Sequence, residues 1–200
     1  MNPTLIVIPT LDPERGGDTG RLARITARCD CRIEVVHDQE GDGFTKTVNR
    51  GIELRRPDED VCLLNDDVDI FHYGWLRTLQ NALYVYHDCD YDYGIAGPSG
   101  ESMSISCAGQ LGDEGLKSVN QLPFWCVLIR GAVIDKIGLL DEAFIHYGSD
   151  GYYCRIARQN GWQCVWVKSV YLRHEHRGSA MQREWRQKDL MTLKQLTRQI

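Results

Sequence analysis

An apolar run, Val61-Cys62-Leu63-Leu64, ends in Asn65-Asp66-Asp67, with a further carboxylate at Asp69. A run of this length reads as a buried strand of a parallel sheet. Open α/β sheets bind ligands at the carboxyl ends of such strands. Adjacent carboxylates placed there repel each other and resist desolvation, and hard oxygen donors of this kind suit Mg or Mn. Asn-Asp-Asp is equally good turn chemistry after a strand. Two other stretches carry reactive groups. His174-Glu175-His176 can add an imidazole, and a mixed carboxylate–imidazole shell suits Mn better than Ca; read singly, both are ordinary loop histidines. Gly148-Ser149-Asp150-Gly151 precedes a helical pattern. Asp150 there is either a plain N-cap or a carboxylate kept ionised by the helix dipole and available as a general base.

These groups need elements to position them. Thr4 to Ile8 reads as a first strand, ended by Pro9-Thr10. Leu11 to Gly20, with Pro13, Gly16, Gly17 and Gly20, reads as a loop. Thr19 to Ala27 reads as a short helix with Leu22, Ile25 and Thr26 inward. Arg32 to Val36 is a second strand, exiting at His37-Asp38, and a helix over Phe44 to Leu54 would bury Phe44, Val48 and Ile52. With the Val61 strand, this alternation predicts a parallel, doubly wound sheet. Pro9-Thr10, Asp38 and Asn65-Asp66-Asp67 should then meet at one crevice. No Gly-x-Gly-x-x-Gly follows the first strand and no Walker A sequence occurs, which argues against a Rossmann dehydrogenase and a P-loop NTPase. Further along, helices are expected over Tyr73 to His87, Gly131 to Ile137 (closed by Gly138), Gly151 to Asn160, and in the segment Ala180 to Ile200. Strands are expected over Tyr93 to Gly97 (stopped by Pro98) and Leu122 to Ile129, and Gln163 to Val167 and Val170 to Leu172 read as short strands or one bent strand. Ser99 to Asn120 reads as a long loop, and Ser149 or Asp150 as the cap of the helix after it.

The bulk composition narrows the classes. At 200 residues, 42% hydrophobic and 26% charged, the chain has the size and make-up of one globular domain. A net charge of -5 argues against a nucleic-acid partner. No apolar run approaches the roughly 18 residues of a membrane span, and the start lacks a signal-peptide pattern, so a cytoplasmic location, compatible with peripheral membrane attachment, is expected. Eight cysteines include no Cys-x-x-Cys pair and read as free thiols, with Cys62, Cys126 and Cys164 acting as small hydrophobes.

In order along the chain, Leu5-Ile6-Val7-Ile8-Pro9-Thr10, Gly43 to Ile52, Leu63 to Asp67 with Gly74-Trp75-Leu76, Ile137 to Phe144, Tyr147 to Asp150 and His174 to Ser179 resemble segments of the inverting glycosyltransferases of the large family-2 type, in a rhamnosyltransferase-like Asn-Asp-Asp variant. The resemblance spans nearly the whole chain. It implies a GT-A fold: α/β, Rossmann-like, with a mixed, mainly parallel central sheet flanked by helices. A single catalytic domain would cover 1–179, with a nucleotide-binding half (1–97), an acceptor and catalytic half (98–179), and a helical tail (180–200). It further implies hexosyl or deoxyhexosyl transfer from a UDP-, dTDP- or GDP-linked donor to a glycan, lipid-linked or other hydroxyl acceptor.

The same resemblance implies roles for residues. Pro9, Thr10 and Asp38 would line the base pocket, and Lys46 and Asn49 would lie near the nucleotide. Asn65 and Asp66 would reach the ribose and diphosphate, assisted by Arg177, with Arg173 and Arg183 as further candidates. Asp67 and His174 would hold a divalent cation, Mn or Mg; His174 is preferred to His176 for its distance to Ser179. Asp150 would be the base. Trp125 and Tyr147 are candidate acceptor-stacking aromatics, with Tyr152 and Tyr153 also available. The chain departs from the family at Ser149 and Tyr152, where acids are usual, and in the short link His37 to Asp42. Two competing readings are a nucleotidyltransferase holding a triphosphate near Arg15-Gly16-Gly17, Arg21 and Arg24, and a degenerate sugar-nucleotide-binding protein.

Overall fold

The computed structural model describes residues 1–85, 92–100, 108–175 and 182–196. Strand β1 (Thr4–Thr10) runs parallel to β2 (Cys31–His37), and helix α1 (Pro13–Ala27) connects them. The stretch expected as a loop is therefore helix. The Asp12 carboxylate accepts the backbone N–H groups of Glu14 and Arg15, and Pro13 opens the first turn, an arrangement that starts helices well. Glycines inside this helix serve close packing. A Cβ on Gly16 would come within 2.7 Å of Val35, and one on Gly20 within 2.9 Å of Ile33. The inward face is Gly16, Thr19, Gly20, Ala23, Thr26 and Ala27; Thr26 is inward as expected, whereas Leu22 and Ile25 are exposed.

The remaining elements follow as α2 (Phe44–Ile52), β3 (Asp60–Leu64), β4 (Val68–Asp69), α3 (Trp75–Tyr84), β5 (Asp92–Ser99), β6 (Leu116–Val119), β7 (Cys126–Ile129), α4 (Gly131–Ile137), α5 (Ser149–Gln159), β8 (Trp162–Tyr171), β9 (Arg173–His174) and α6 (Gln182–Leu196). Four expectations change. The strand expected over Leu122 to Ile129 is confined to Cys126–Ile129. Strand β5 continues through Pro98, because β7 pairs with it only at Ile95 and Ala96 and leaves Pro98 one neighbour, β8; proline is tolerated where no ladder N–H is needed. Strand β6 forms inside the expected 99–120 loop by pairing with β8. Helix α5 begins after Gly148, which adopts φ 86° and supplies no side-chain cap, so neither Ser149 nor Asp150 is the N-cap.

The main sheet has the order β2-β1-β3-β7-β5-β8-β6, and only β7 and β6 run against the other strands. A separate two-stranded ladder joins β4 to β9. Both faces of the main sheet are covered. Ile6, Ile8 and Leu64 pack with Ala23, Trp75 and Leu79 of α1 and α3. Leu5, Val7 and Leu63 pack with Val48, Val133 and Tyr153 of α2, α4 and α5. Burial on both faces is why β1 and β3 read as unbroken apolar runs. The six described cysteines are free thiols; Cys89 and Cys107 lie outside the described residues.

Candidate active site

The carboxyl ends of β1 and β3 meet where the sequence places them, and α1 completes the corner. Asp66 Oδ2 accepts the Thr10 hydroxyl at 2.5 Å and the Arg15 guanidinium at 2.7 Å. Its backbone carbonyl accepts the Thr19 hydroxyl at 2.9 Å. The hydrogen bond to Asp66 is the largest influence raising the Arg15 pKa. Arg15 as an Asp66 partner is a functional candidate the sequence reading missed, because its segment looked like a loop. Its available signal was Asp12-Pro13-Glu14, a helix start that would place Arg15 in the first turn.

Asp67 turns the other way. Its Oδ1 lies 2.9 Å from His174 Nε2, and both side chains are largely buried. The β4–β9 ladder makes this meeting possible, since Val68 pairs with His174 and the Glu175 N–H donates to the Asp67 carbonyl at 3.0 Å. Trp125 stacks on the His174 ring at 5.4 Å and 12°. The Trp125 backbone carbonyl accepts the Asn65 N–H at 2.8 Å. Asn65 Nδ2 lies 3.3 Å from His174 Nε2, and Asn65 Oδ1 is buried without a hydrogen-bond partner among the described residues.

The donor set fits a hard divalent cation. Asp67 and His174 are side chains of the types that hold Mn or Mg, and they already stand together, with Oδ1 2.9 Å from Nε2. The Asn65 oxygen is buried nearby without a partner among the described residues. No group of three or more His, Cys, Asp or Glu side chains suited to a metal occurs among the described residues. A cation here would have two protein ligands and take its others from phosphate and water, as Mg sites commonly do.

Around the rim, Asp38 is buried. Its carboxylate accepts the N–H groups of Asp42 and Gly43 at 2.8 and 2.9 Å, and its own N–H donates to Thr10 O at 2.9 Å. The short link after β2 is therefore folded around Asp38. Lys46 is half-exposed and 3.3 Å from Asp42. Pro9 lies within β1, paired with Val36. Asn49 is spent elsewhere. Its amide donates to the Leu140 carbonyl at 2.9 Å and to Glu142 at 3.0 Å, and accepts the Leu140 N–H at 3.1 Å. At 2% exposure it ties α2 to the segment after α4. Arg177, His176 and Ser179 lie outside the described residues, as does the side chain of Arg183. Arg173 pairs with Asp69 at 2.6 Å across the β4–β9 ladder.

Asp150 stands in the first turn of α5, where Oδ1 accepts the Gly151 N–H at 2.7 Å. Burial pushes its carboxyl above the ordinary carboxylate range, against the pull of N–H groups from Gly151, Asp150 and Phe124. It borders a cleft of about 650 Å³ whose wall includes Asn120, Gln121, Tyr152, Arg155 and Leu193. Of the aromatics named as acceptor platforms, Tyr152 lines this cleft. Trp125 is 5% exposed and backs His174. Tyr153 is core, with its hydroxyl donating to the Gly138 carbonyl at 3.0 Å. Tyr147 packs edge-on against His146 at 4.7 Å, and burial raises its phenol pKa.

The segment leading to Asp150 is anchored from a distance. Asp189 of α6, 1% exposed, accepts the N–H groups of Ile145, His146 and Tyr147 at 2.7, 2.8 and 2.7 Å. Trp185 packs against His146 at 5.8 Å. From the other side, Gly43 (φ 90°) backs onto Ile145, where a Cβ would come within 2.5 Å, and the Thr45 N–H donates to the Ile145 carbonyl at 3.1 Å. Sequence reading missed Asp189, which sits in a segment rich in Arg, Lys and Gln.

No protein-family model matches this sequence, and no curated protein matches it. Solved structures do. Similarity extends to A197 from STIV, with a TM-score of 0.55 and 15% identity, covering 86% of this chain and 85% of that one. It extends also to GalNAc-T7 with UDP, GalNAc and Mn2+, with a TM-score of 0.58 and 9% identity, covering 87% of this chain and 43% of that one. The chain thus spans under half of the GalNAc-T7 chain. At these identities the likeness is one of fold: the chain has a GT-A-like architecture, mixed α/β with a mainly parallel sheet.

Proposed function

We propose that the protein is a metal-dependent, inverting glycosyltransferase that moves a sugar from a nucleotide-sugar donor to an acceptor hydroxyl. One observation carries this reading: the Asp67–His174 pair, 2.9 Å apart, stands beside the clamped Asp66 at the strand ends of a GT-A-like sheet. GalNAc-T7, which shares the fold, is described with UDP, GalNAc and Mn2+. Asp67 and His174 would hold Mn or Mg, with Asn65 Oδ1 alongside. When bound, the cation offsets negative charge developing on the departing diphosphate.

The chain's own residues do the rest. Pro9, Thr10 and Asp38 border the base side of the crevice, while Asp66, held by Thr10 and Arg15, faces the ribose and diphosphate. Lys46 and Arg177 are candidate phosphate partners. Asp150 accepts the proton of the acceptor hydroxyl as its oxygen bonds to the anomeric carbon. The bond from that carbon to the donor diphosphate breaks on the opposite face, so the configuration inverts. A carboxyl raised toward neutrality by burial is better matched to this proton transfer than a free one. The catalytic unit covers 1–179, and the contacts of Asp189 support counting α6 with it. A cytoplasmic or membrane-peripheral setting fits a soluble donor and a glycan or lipid-linked acceptor.

The nucleotidyltransferase reading loses its phosphate loop, since Gly16 and Gly17 lie inside α1 and Gly16 is packed on Val35. Incubation with Mn and panels of UDP-, dTDP- and GDP-sugars and of nucleoside triphosphates separates the readings. Nucleoside diphosphate release together with free sugar or a glycosylated product supports the proposal. Pyrophosphate release from a triphosphate overturns it in favour of nucleotidyl transfer. Binding without turnover across acceptor panels overturns it in favour of a sugar-nucleotide-binding protein.

A further inference from the structure

The cleft beside Asp150 has a charge pattern that the donor chemistry does not use. Its wall on α5 is made by Gly151, Arg155 and Arg158, spaced i, i+4 and i+7 and so aligned on one helix face. Asp150 is the one acid among its lining residues. Elsewhere arginines near the strand ends are paired: Arg15 with Asp66, Arg50 with Asp42, Arg173 with Asp69. Among the described residues, Arg155 and Arg158 have neither a hydrogen-bond nor an ion-pair partner for their guanidinium groups.

Concave walls carrying one sign of charge focus the local potential, and guanidinium groups match phosphate and carboxylate oxygens in bidentate fashion. On a chain of net charge -5, an arginine-lined cleft is a local site that favours anions. The other wall suits a sugar. Asn120 and Gln121 offer amide donors and acceptors, Tyr152 a ring, and Leu193 an apolar edge. Gly151 lets the Gln121 amide sit against α5, since a Cβ there would come within 3.0 Å of Gln121 Oε1.

We infer that this cleft is the acceptor subsite and that the acceptor is an anionic glycoside, bearing a phosphate or carboxylate that docks on Arg155 and Arg158. The inference rests on Asp150 being the base. At about 1.5 Å of rise per residue, Arg155 stands about 7.5 Å and Arg158 about 12 Å along the helix from Asp150. The anion therefore sits one to two sugar rings from the hydroxyl that reacts.

The test is a binding measurement in the presence of Mn and UDP, dTDP or GDP, which occupy the donor side. Methyl glucoside, glucuronate, glucose 1-phosphate and inorganic phosphate are titrated by calorimetry into wild type and into the Arg155→Gln/Arg158→Gln double variant. At least one anionic sugar should bind wild type about tenfold or more tighter than methyl glucoside, and the double variant should lose that preference. The glucuronate and glucose phosphate arms tell carboxylate from phosphate. Equal binding of neutral and anionic sugars overturns the inference, as does a preference that survives in the double variant. Inorganic phosphate binding as tightly as the best sugar also overturns it, because the site would then recognise an anion alone. Binding of UDP, dTDP and GDP with Mn to wild type is read separately, and whichever binds is used in the titrations: the absence of all three counts against the glycosyltransferase reading, and the presence of one without anion preference overturns only the acceptor inference.

Discussion

Replacing Asp189 by Ala should loosen the segment that delivers Asp150, although the two residues lie on different helices. One carboxylate, 1% exposed, accepts three consecutive N–H groups at 2.7, 2.8 and 2.7 Å. A hydrogen bond to a charged group is worth about 1.5–3 kcal/mol net. Simple addition would give about 4–9 kcal/mol, but the three bonds share one acceptor and are lost together. Once the carboxylate is gone, the segment can shift and its amides can reach water. A local loss of about 3 kcal/mol is the reasoned figure, which is somewhat more than a hundredfold in an opening equilibrium. Native-state hydrogen exchange reads this directly. The amides of residues 145–147 should exchange at least a hundredfold faster in Asp189→Ala, while those of β1 and β3 keep their protection. Glycosyl transfer should fall in parallel. Asp189→Asn should not restore wild-type behaviour, since its Nδ2 would face a backbone N–H. If the three amides exchange at wild-type rates and turnover is unchanged, α6 is an appendage and the anchoring argument is wrong.

Three further outcomes follow from the site. Asp150→Asn should abolish transfer while leaving binding of the donor's nucleoside diphosphate within a few-fold, as measured by calorimetry. Burial raises this carboxyl's folded pKa, so its contribution to stability is full below the ordinary carboxylate range and is lost as pH rises through the raised value. Near neutral pH the Asn variant should therefore have a higher urea midpoint than wild type, and the acid limb of the wild-type pH–rate profile should lie above the ordinary carboxylate range. Asp67→Ala should weaken Mn-dependent binding of the donor's nucleoside diphosphate by tenfold or more and remove any thermal shift that this ligand with Mn gives wild type; an undiminished shift would place the cation elsewhere. Asn49→Ala should lower unfolding stability by about 2 kcal/mol, because two buried polar groups of Leu140 lose their partner, and should leave the donor KM unchanged. A raised donor KM with normal stability would restore the nucleotide role expected of it.

The strand ends were legible because burial on both faces writes β1 and β3 as continuous apolar runs, and α4 because Gly138 marks its end. Helix α1 was not. Glycine is a poor helix former in isolation, and only the closeness of Val35 and Ile33 explains why this helix has it at positions 16 and 20. Asn49 looked like a nucleotide ligand because nothing local reveals that Leu140 and Glu142 would claim its amide. Asp189 was hidden for a similar reason: a buried acid in a basic, glutamine-rich helix has no local mark. Both depend on partners tens of residues away. Asp67 and His174 could be paired beforehand only through the family resemblance, as no periodicity spans the distance between them.

That distance has a thermodynamic side. The two side chains belong to segments roughly a hundred residues apart, and bringing such ends together in a flexible chain costs about 4 kcal/mol of loop-closure entropy. The β4–β9 ladder, with Val68 set against His174, settles that cost during folding, before any ligand arrives. A cation held by this pair, as proposed above, would meet a chelate already closed and would bind the native chain almost exclusively. Its affinity should therefore follow the integrity of a two-residue ladder. A single proline at position 175, where the N–H now donates to the Asp67 carbonyl, would separate metal affinity from every group that touches the metal.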